Sequence, residues 1–257
     1  MTSFPIPPRR VDIGDAAAFV GTTPGEIRRY EDVGLLPGRD GDDTRRYGHD
    51  EMVRLLWIRR MADAGIAVDH IRGAFADTGP AGADGGHDVL GVVGRLRLLS
   101  DVVSSRLEPL PEGSLRRADL DGLLVTERIF GPLGAALQST RYIALATHPG
   151  LREGSDRVDA SEEALDDTVA VDDPRVAQVA AERHAFELAL AAVIEDSGLA
   201  ESDETLFDSW DASHPDGDDE VGTDFLSAVE VAGRMPYDFS PARVRCMELA
   251  AELAAEQ

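Results

Sequence analysis

The chain has 257 residues, a formal net charge of −24, 43% hydrophobic residues and only 5% aromatic ones. That apolar content supports a packed core and excludes wholesale disorder, and because Ala, Leu and Val carry it, helices are favoured over sheets. One cysteine, Cys246, excludes an internal disulfide and suits a reducing cytoplasm, the start MTSFPIPPRR lacks the apolar region of a signal peptide, and no apolar run reaches the roughly 18–20 residues that cross a bilayer.

Every basic side chain is arginine, and the charge is unevenly placed. Residues 1–75 carry 11 Arg against 12 acids, whereas the remainder carries 14 Arg against 37 acids. Two regions so different in charge are expected to have different tasks.

In chain order, DIGDAAAFV (12–20) reads as a short helix stopped by Gly21 at the left-handed C′ position. A second helix starts at once: Thr23 is an N-cap, Pro24 fits N1, and Glu26 completes a capping box. It runs to about Val33 and ends at Gly34 and Pro37. Two short helices around a tight glycine turn make a helix-turn-helix. GRDGDDTRRYG (38–48) reads as a small β-hairpin, or wing. A helix opens at Gly48, with Glu51 three residues on and Met52, Leu55, Leu56 and Ile58 to Met61 giving it a buried side; Gly65 ends it, and AVDHIRGAF forms one more.

Residues 77–86 are a Gly/Pro-rich hinge. Beyond it Val89, Val92, Leu96, Leu99 and Val103 step by three and four, an a/d seam that predicts a dimerisation helix over 87–110, an antiparallel coiled coil; the alternative is a helix packed on its own domain. Residues 111–257 read as a helical domain, with helices over about 134–148, from Pro174 onward, over 221–234, and over 240–256, where Ser240 caps and Pro241 takes N1. Residues 201–220 hold nine acids and no base and read as a solvated loop. The fold class expected is mainly α: a winged helix-turn-helix over 1–76, a hinge, a long dimerisation helix and a C-terminal helical domain.

Residues 1–76 resemble the MerR family of bacterial transcription regulators. Ile13, Gly14, Arg28, Tyr30, Glu31, Gly34, Leu35, Leu36, Arg45, Arg46, Tyr47, Gly65 and Ile71 match the family pattern in order and spacing. Asp15, Arg29, Asp43-Thr44 and Gly48 depart from it, so a target sequence does not carry over. The resemblance implies a cytoplasmic, nucleoid-associated homodimer that binds a palindromic promoter, distorts an overlong spacer and so acts on RNA polymerase indirectly.

The chemistry fits that expectation. A recognition helix enters the major groove, arginine pairs with guanine or phosphate, and tyrosine hydroxyls suit phosphate oxygens. Thr23, Arg28, Arg29, Tyr30, Arg45, Arg46 and Tyr47 are the expected DNA contacts. Local charge decides such binding, because screening at physiological salt acts over about 8 Å.

No metal or cofactor is expected, since the six histidines lie far apart and one cysteine makes no thiolate cage. No nucleotide-binding glycine loop, nucleophile elbow or zinc-protease motif is present, so an enzyme is not expected. For the C-terminal region two readings stand. One is an effector domain enclosing an organic ligand, with Tyr142, Phe186, Phe207 and Trp210 as candidate lining. The other is a protein-interaction module whose acidic surface meets a basic partner, its aromatics filling an ordinary core. A purely structural DNA-binding protein is a third reading, and it predicts no promoter selectivity.

Overall fold

The computed structural model describes residues 8–37, 45–76, 91–213 and 233–256, and it is mainly helical. The chain divides into two units, Met1–Ala136 with Asp218–Asp238, and Leu137–Gly217 with Phe239–Gln257.

In the first unit, α1 (Ile13–Val20) is capped by Asp12, whose carboxylate accepts from the N–H groups of Gly14 and Asp15. It ends at Gly21, whose φ of 78° only glycine adopts cheaply. α2 (Pro24–Asp32) follows, with the Thr23 hydroxyl accepting from Glu26 N–H at 3.1 Å and Pro24 at N1. The central helix is α3 (His49–Asp63): Met52, Leu55, Trp57, Ile58 and Met61 are fully enclosed. Glu51 reaches back to accept from Gly48 N–H at 3.0 Å, which replaces the missing side-chain cap. α4 (Val68–Ala76) contributes Ile71 and Phe75 to the same core.

The expected wing is not shown. Residues 38–44 lie outside the described residues, and among the described ones there is no strand, only an isolated antiparallel bridge between Val11 and Tyr47.

The expected helix over 87–110 is not one continuous helix among the described residues. Residues 87–90, including Val89, lie outside the described residues, and the rest forms two short helices, α5 (Val92–Leu96) and α6 (Asp101–Leu107). Ser100 breaks them apart in an extended conformation, because its N–H and hydroxyl both donate to the Glu127 carboxylate, at 3.0 and 2.8 Å. Leu99, Val103 and Leu107 are buried within this single chain, and Val92 and Leu96 are half-buried.

α7 (Arg117–Thr147) starts well before the expected residue 134 and is kinked at Gly131, where φ is 72° and Pro132 follows. Its first half clamps the N-terminal helices. Asp121 accepts from the Trp57 indole at 2.6 Å, Glu127 pairs with Arg60, and Arg128 donates to the carbonyls of Ala18 and Phe19 at the C-terminal end of α1. A cation at that end also meets the negative pole of the helix.

In the second unit, α8 (Pro149–Glu163), α9 (Pro174–Asp196), α10 (Leu199–Ser213) and α11 (Pro241–Ala255) join the end of α7. α9 is central: Val176, Val179 and Ala180 pack with Leu165, Ala242 and Cys246, while Phe186 and Leu190 pack with Ala144, Leu145 and Val158. Gly154 lets the Phe186 ring close in, since a Cβ there would stand 3.2 Å from it. Around this core Arg183 is tied to Glu162 at 2.7 Å and Asp159 at 2.6 Å.

The expected loop over 201–220 is helical through Ser213; residues 214–220, and 221–232 of the expected helix that follows, lie outside the described residues. Leu199, Asp203, Leu206 and Trp210 recur at helical spacing and are half-buried, and Asp203 accepts from the Thr140 hydroxyl at 2.7 Å. That stripe, and the acidic first turn, outweigh the high charge.

Candidate nucleic-acid interface

The candidate interface comprises α2 and the short extended segments around the Val11–Tyr47 bridge. α2 is held at both ends. Thr23 caps its start, while Arg72 donates to the Val33 carbonyl and Arg54 to the Leu35 carbonyl, each at 2.6 Å, just past its end. Ile27, Tyr30 and Glu31 point into the core, which leaves Arg28 and Arg29 on the exposed face. Arg28 has no ion pair or hydrogen bond with a described residue. Arg29 pairs with Glu26 at 3.0 Å, but both side chains are open to solvent, so the pair is weak. Thr23 is exposed; its hydroxyl accepts one bond as a cap and still has a hydrogen to donate.

The Arg45-Arg46-Tyr47 motif divides by strand alternation. Successive side chains of an extended segment point to opposite faces. Tyr47 is inside, 1% exposed, and its hydroxyl donates to Glu31 Oε1 at 2.8 Å. Arg45 points the same way: it lies 3.3 Å from Glu31, donates to Glu51 at 2.6 Å, and donates to the Pro37 carbonyl. Arg46, between them, points outward and has no ion pair or hydrogen bond with a described residue.

Of the expected DNA contacts, Tyr30 and Tyr47 are buried and Arg45 is half-buried beside Glu31 and Glu51. Tyr47 is buried, and burial together with the hydrogen bond to Glu31 pushes its phenol pKa up. Tyr30 is buried, and burial followed by Glu26 pushes its phenol up too. Arg45 is spent on a carboxylate cluster. Thr23, Arg28, Arg29 and Arg46 remain at the surface. The reason is that a buried Glu31 on α2 needs a cation and a donor, and the motif supplies them from its inward positions. Arg54 and Arg72, which cap the segment after α2, carry no local sequence signal, because their partners lie 19 and 39 residues away.

The suggested ligand-pocket residues lie on α7, α9 and α10. Tyr142 and Phe186 share one core, where Arg141 and Arg183 also lie over the Phe186 ring. Phe207 is 54% exposed on α10 and Trp210 half-buried. Among the described residues no group of three or more potential metal ligands comes together, and no helix is long and apolar enough to cross a membrane.

Comparison with known proteins bears on the first unit. A family model described as MerR HTH family regulatory protein matches residues 11–78. The uncharacterized HTH-type transcriptional regulator PA4778 of Pseudomonas aeruginosa is 38% identical over 63 residues, 24% of this chain and 48% of the relative. The HTH-type transcriptional regulator HmrR of Sinorhizobium medicae is 34% identical over 68 residues, 26% of this chain and 46% of the relative. The chain thus spans about half the length of the curated relatives it matches, and no solved structure matches it. Helices α1 to α4, in their order and with their caps, together with the residues matched, make 11–78 a helix-turn-helix domain of the MerR family.

Proposed function

We propose that the chain is a sequence-specific transcription regulator of the MerR type, acting as a homodimer on a palindromic promoter. The observation that carries this reading is the exposed arginine face of α2, Arg28 and Arg29, on a domain of that family. The dimer distorts the promoter spacer, and the elastic cost of that distortion lets a small change in protein geometry alter access for RNA polymerase. Because Leu99 and Val103 are occupied inside the chain, pairing of two copies through the expected seam requires α5 and α6 to rearrange. The second unit acts as the regulatory half, controlled by a small organic effector.

A second reading is favoured by α10. It has no buried residue, it exposes Phe207, and Glu201, Glu204, Asp208 and Asp211 are exposed around it. That surface supports a protein-interaction module without a small ligand. A thermal-shift screen against an organic compound panel separates the two, since an effector raises the melting temperature by mass action and a docking module does not respond.

The central reading is tested by sequencing DNA fragments retained by the purified chain. Enrichment of a palindromic promoter motif is expected, and retention without sequence preference overturns it. On an enriched site Arg28→Ala costs about 1–3 kcal/mol if Arg28 reads a base. An equal loss on every sequence assigns Arg28 to phosphate.

A further inference from the structure

The segment just before α1 faces the same way as the outward arginine of the Arg-Arg-Tyr motif. Val11 and Tyr47 form a hydrogen-bonded antiparallel pair, Val11 N–H to Tyr47 O at 3.0 Å and Tyr47 N–H to Val11 O at 2.8 Å. Asp12 and Gly48, on the far sides of that pair, are both extended. Val11 and Tyr47 are buried, so the alternation of an extended chain turns Arg10 and Arg46 to the opposite, solvent face. In antiparallel pairing Arg10 stands opposite Gly48 and diagonal to Arg46, which sets their backbones about 7–8 Å apart. At that separation two arginine side chains can reach neighbouring phosphates of one DNA strand.

The segment is anchored on its other side too. Tyr237 N–H donates to the Pro8 carbonyl at 3.0 Å, the Tyr237 ring lies 5.0 Å from that of His49, and Arg9 pairs with Asp238 at 3.7 Å. Residues 8–11 are therefore held between two chain segments before any DNA arrives. Arg10 is exposed and has no ion pair or hydrogen bond with a described residue. The carboxylate of Asp12, which follows Val11, is engaged with the N–H groups at the start of α1.

Resting on the DNA-binding reading above, we infer that Arg10 is a further DNA-backbone contact, forming with Arg46 a two-arginine phosphate clamp beside the recognition helix. The clamp reads no bases. It sets position and adds salt-dependent affinity, because each phosphate neutralised releases condensed counterions.

The test uses the full chain and a fluorescently labelled random-sequence duplex of about 40 base pairs, with anisotropy titrations at a series of salt concentrations, each phosphate contact adding about 0.9 to the slope of log affinity against log salt. Arg10→Ala is expected to lower that slope by about 0.9, as Arg46→Ala does, and Arg10→Lys to restore it. Melting temperatures of all three are expected to match the wild type, because the side chains are exposed. An unchanged slope for Arg10→Ala, beside lowered slopes for Arg28→Ala and Arg46→Ala, overturns the inference and leaves the DNA-binding reading standing. A lowered slope that comes with a lowered melting temperature and is not restored by lysine gives Arg10 a structural role and also overturns it. A wild-type chain with no salt-dependent binding overturns both.

Discussion

Arg45→Ala distinguishes a core arginine from a DNA-contacting one. The Arg45 side chain is 15% exposed and lies 3.3 Å from Glu31, whose own side chain is 3% exposed. Removing one partner of a buried pair costs about 3–5 kcal/mol, because the remaining charge is left in a poorly solvating site. The lower end applies, since Tyr47 still donates to Glu31 and the bond to Glu51 is closer to solvent. For a chain of this size about 3 kcal/mol lowers the melting temperature by about 6–12 °C. Tyr47→Phe removes only the phenol hydrogen bond to a charged acceptor and costs about 1.5–3 kcal/mol. Differential scanning calorimetry of the two variants, with Arg46→Ala as the surface control, measures these costs. An Arg45→Ala chain that melts within about a degree or two of the wild type yet loses DNA affinity would refute this role, for then the guanidinium works outside the fold.

Three further outcomes follow from the packing. Burial raises the Asp121 carboxyl pKa, so the folded chain holds that proton more tightly than the unfolded one, and the group's contribution to stability falls as pH rises from the unfolded value of 3.8 through the folded one. Asp121→Asn, which can still accept from Trp57, is therefore expected to melt no lower than wild type at pH 7, whereas Asp121→Ala strands a buried indole N–H and costs about 1–3 kcal/mol by thermal denaturation. Burial, and then Glu162, push the Cys246 thiol up to about 11, so a thiol reagent at neutral pH should label the chain only after denaturant is added. Phe186→Ala should cost about 3–5 kcal/mol and Phe207→Ala under about 0.5 kcal/mol in the same unfolding assay, as a core ring and a surface ring require.

The elements legible in the sequence are those whose signals are local. Thr23, Pro24 and Glu26 specify the start of α2 within four residues, and Ser240 with Pro241 do the same for α11, where the Ser240 hydroxyl accepts from Arg243 N–H at 3.0 Å. Gly21 marks the turn between α1 and α2 for an equally local reason. What was not legible depended on distant partners. The a/d pattern after the hinge continues through Ser100, and only Glu127, 27 residues later, makes that position extended. α8 carries little local signal because Gly150 and Gly154 weaken its propensity, and Gly154 is needed by Phe186, 32 residues on. α10 was hidden by its acids, although Leu199, Leu206 and Trp210 already stood at helical spacing.

In the candidate site, the inward and outward sides of the Arg-Arg-Tyr motif are present in the sequence as a period. Reading Arg45, Arg46 and Tyr47 as three equal contacts treats the motif as composition, whereas an extended segment against a core has an inside and an outside. Once Tyr47 is inside, Arg45 must be inside with it and Arg46 must be out, and the acid at position 31 explains what the inward pair is for. The same alternation across the bridge brings out Arg10, which composition alone had left among the unremarked basic residues of the N-terminus. An overall charge of −24 does not oppose binding by these groups, because screening confines each arginine's field to its own surroundings. Where an arginine points, more than how many acids the chain carries, decides whether it meets a carboxylate of the fold or a phosphate of DNA.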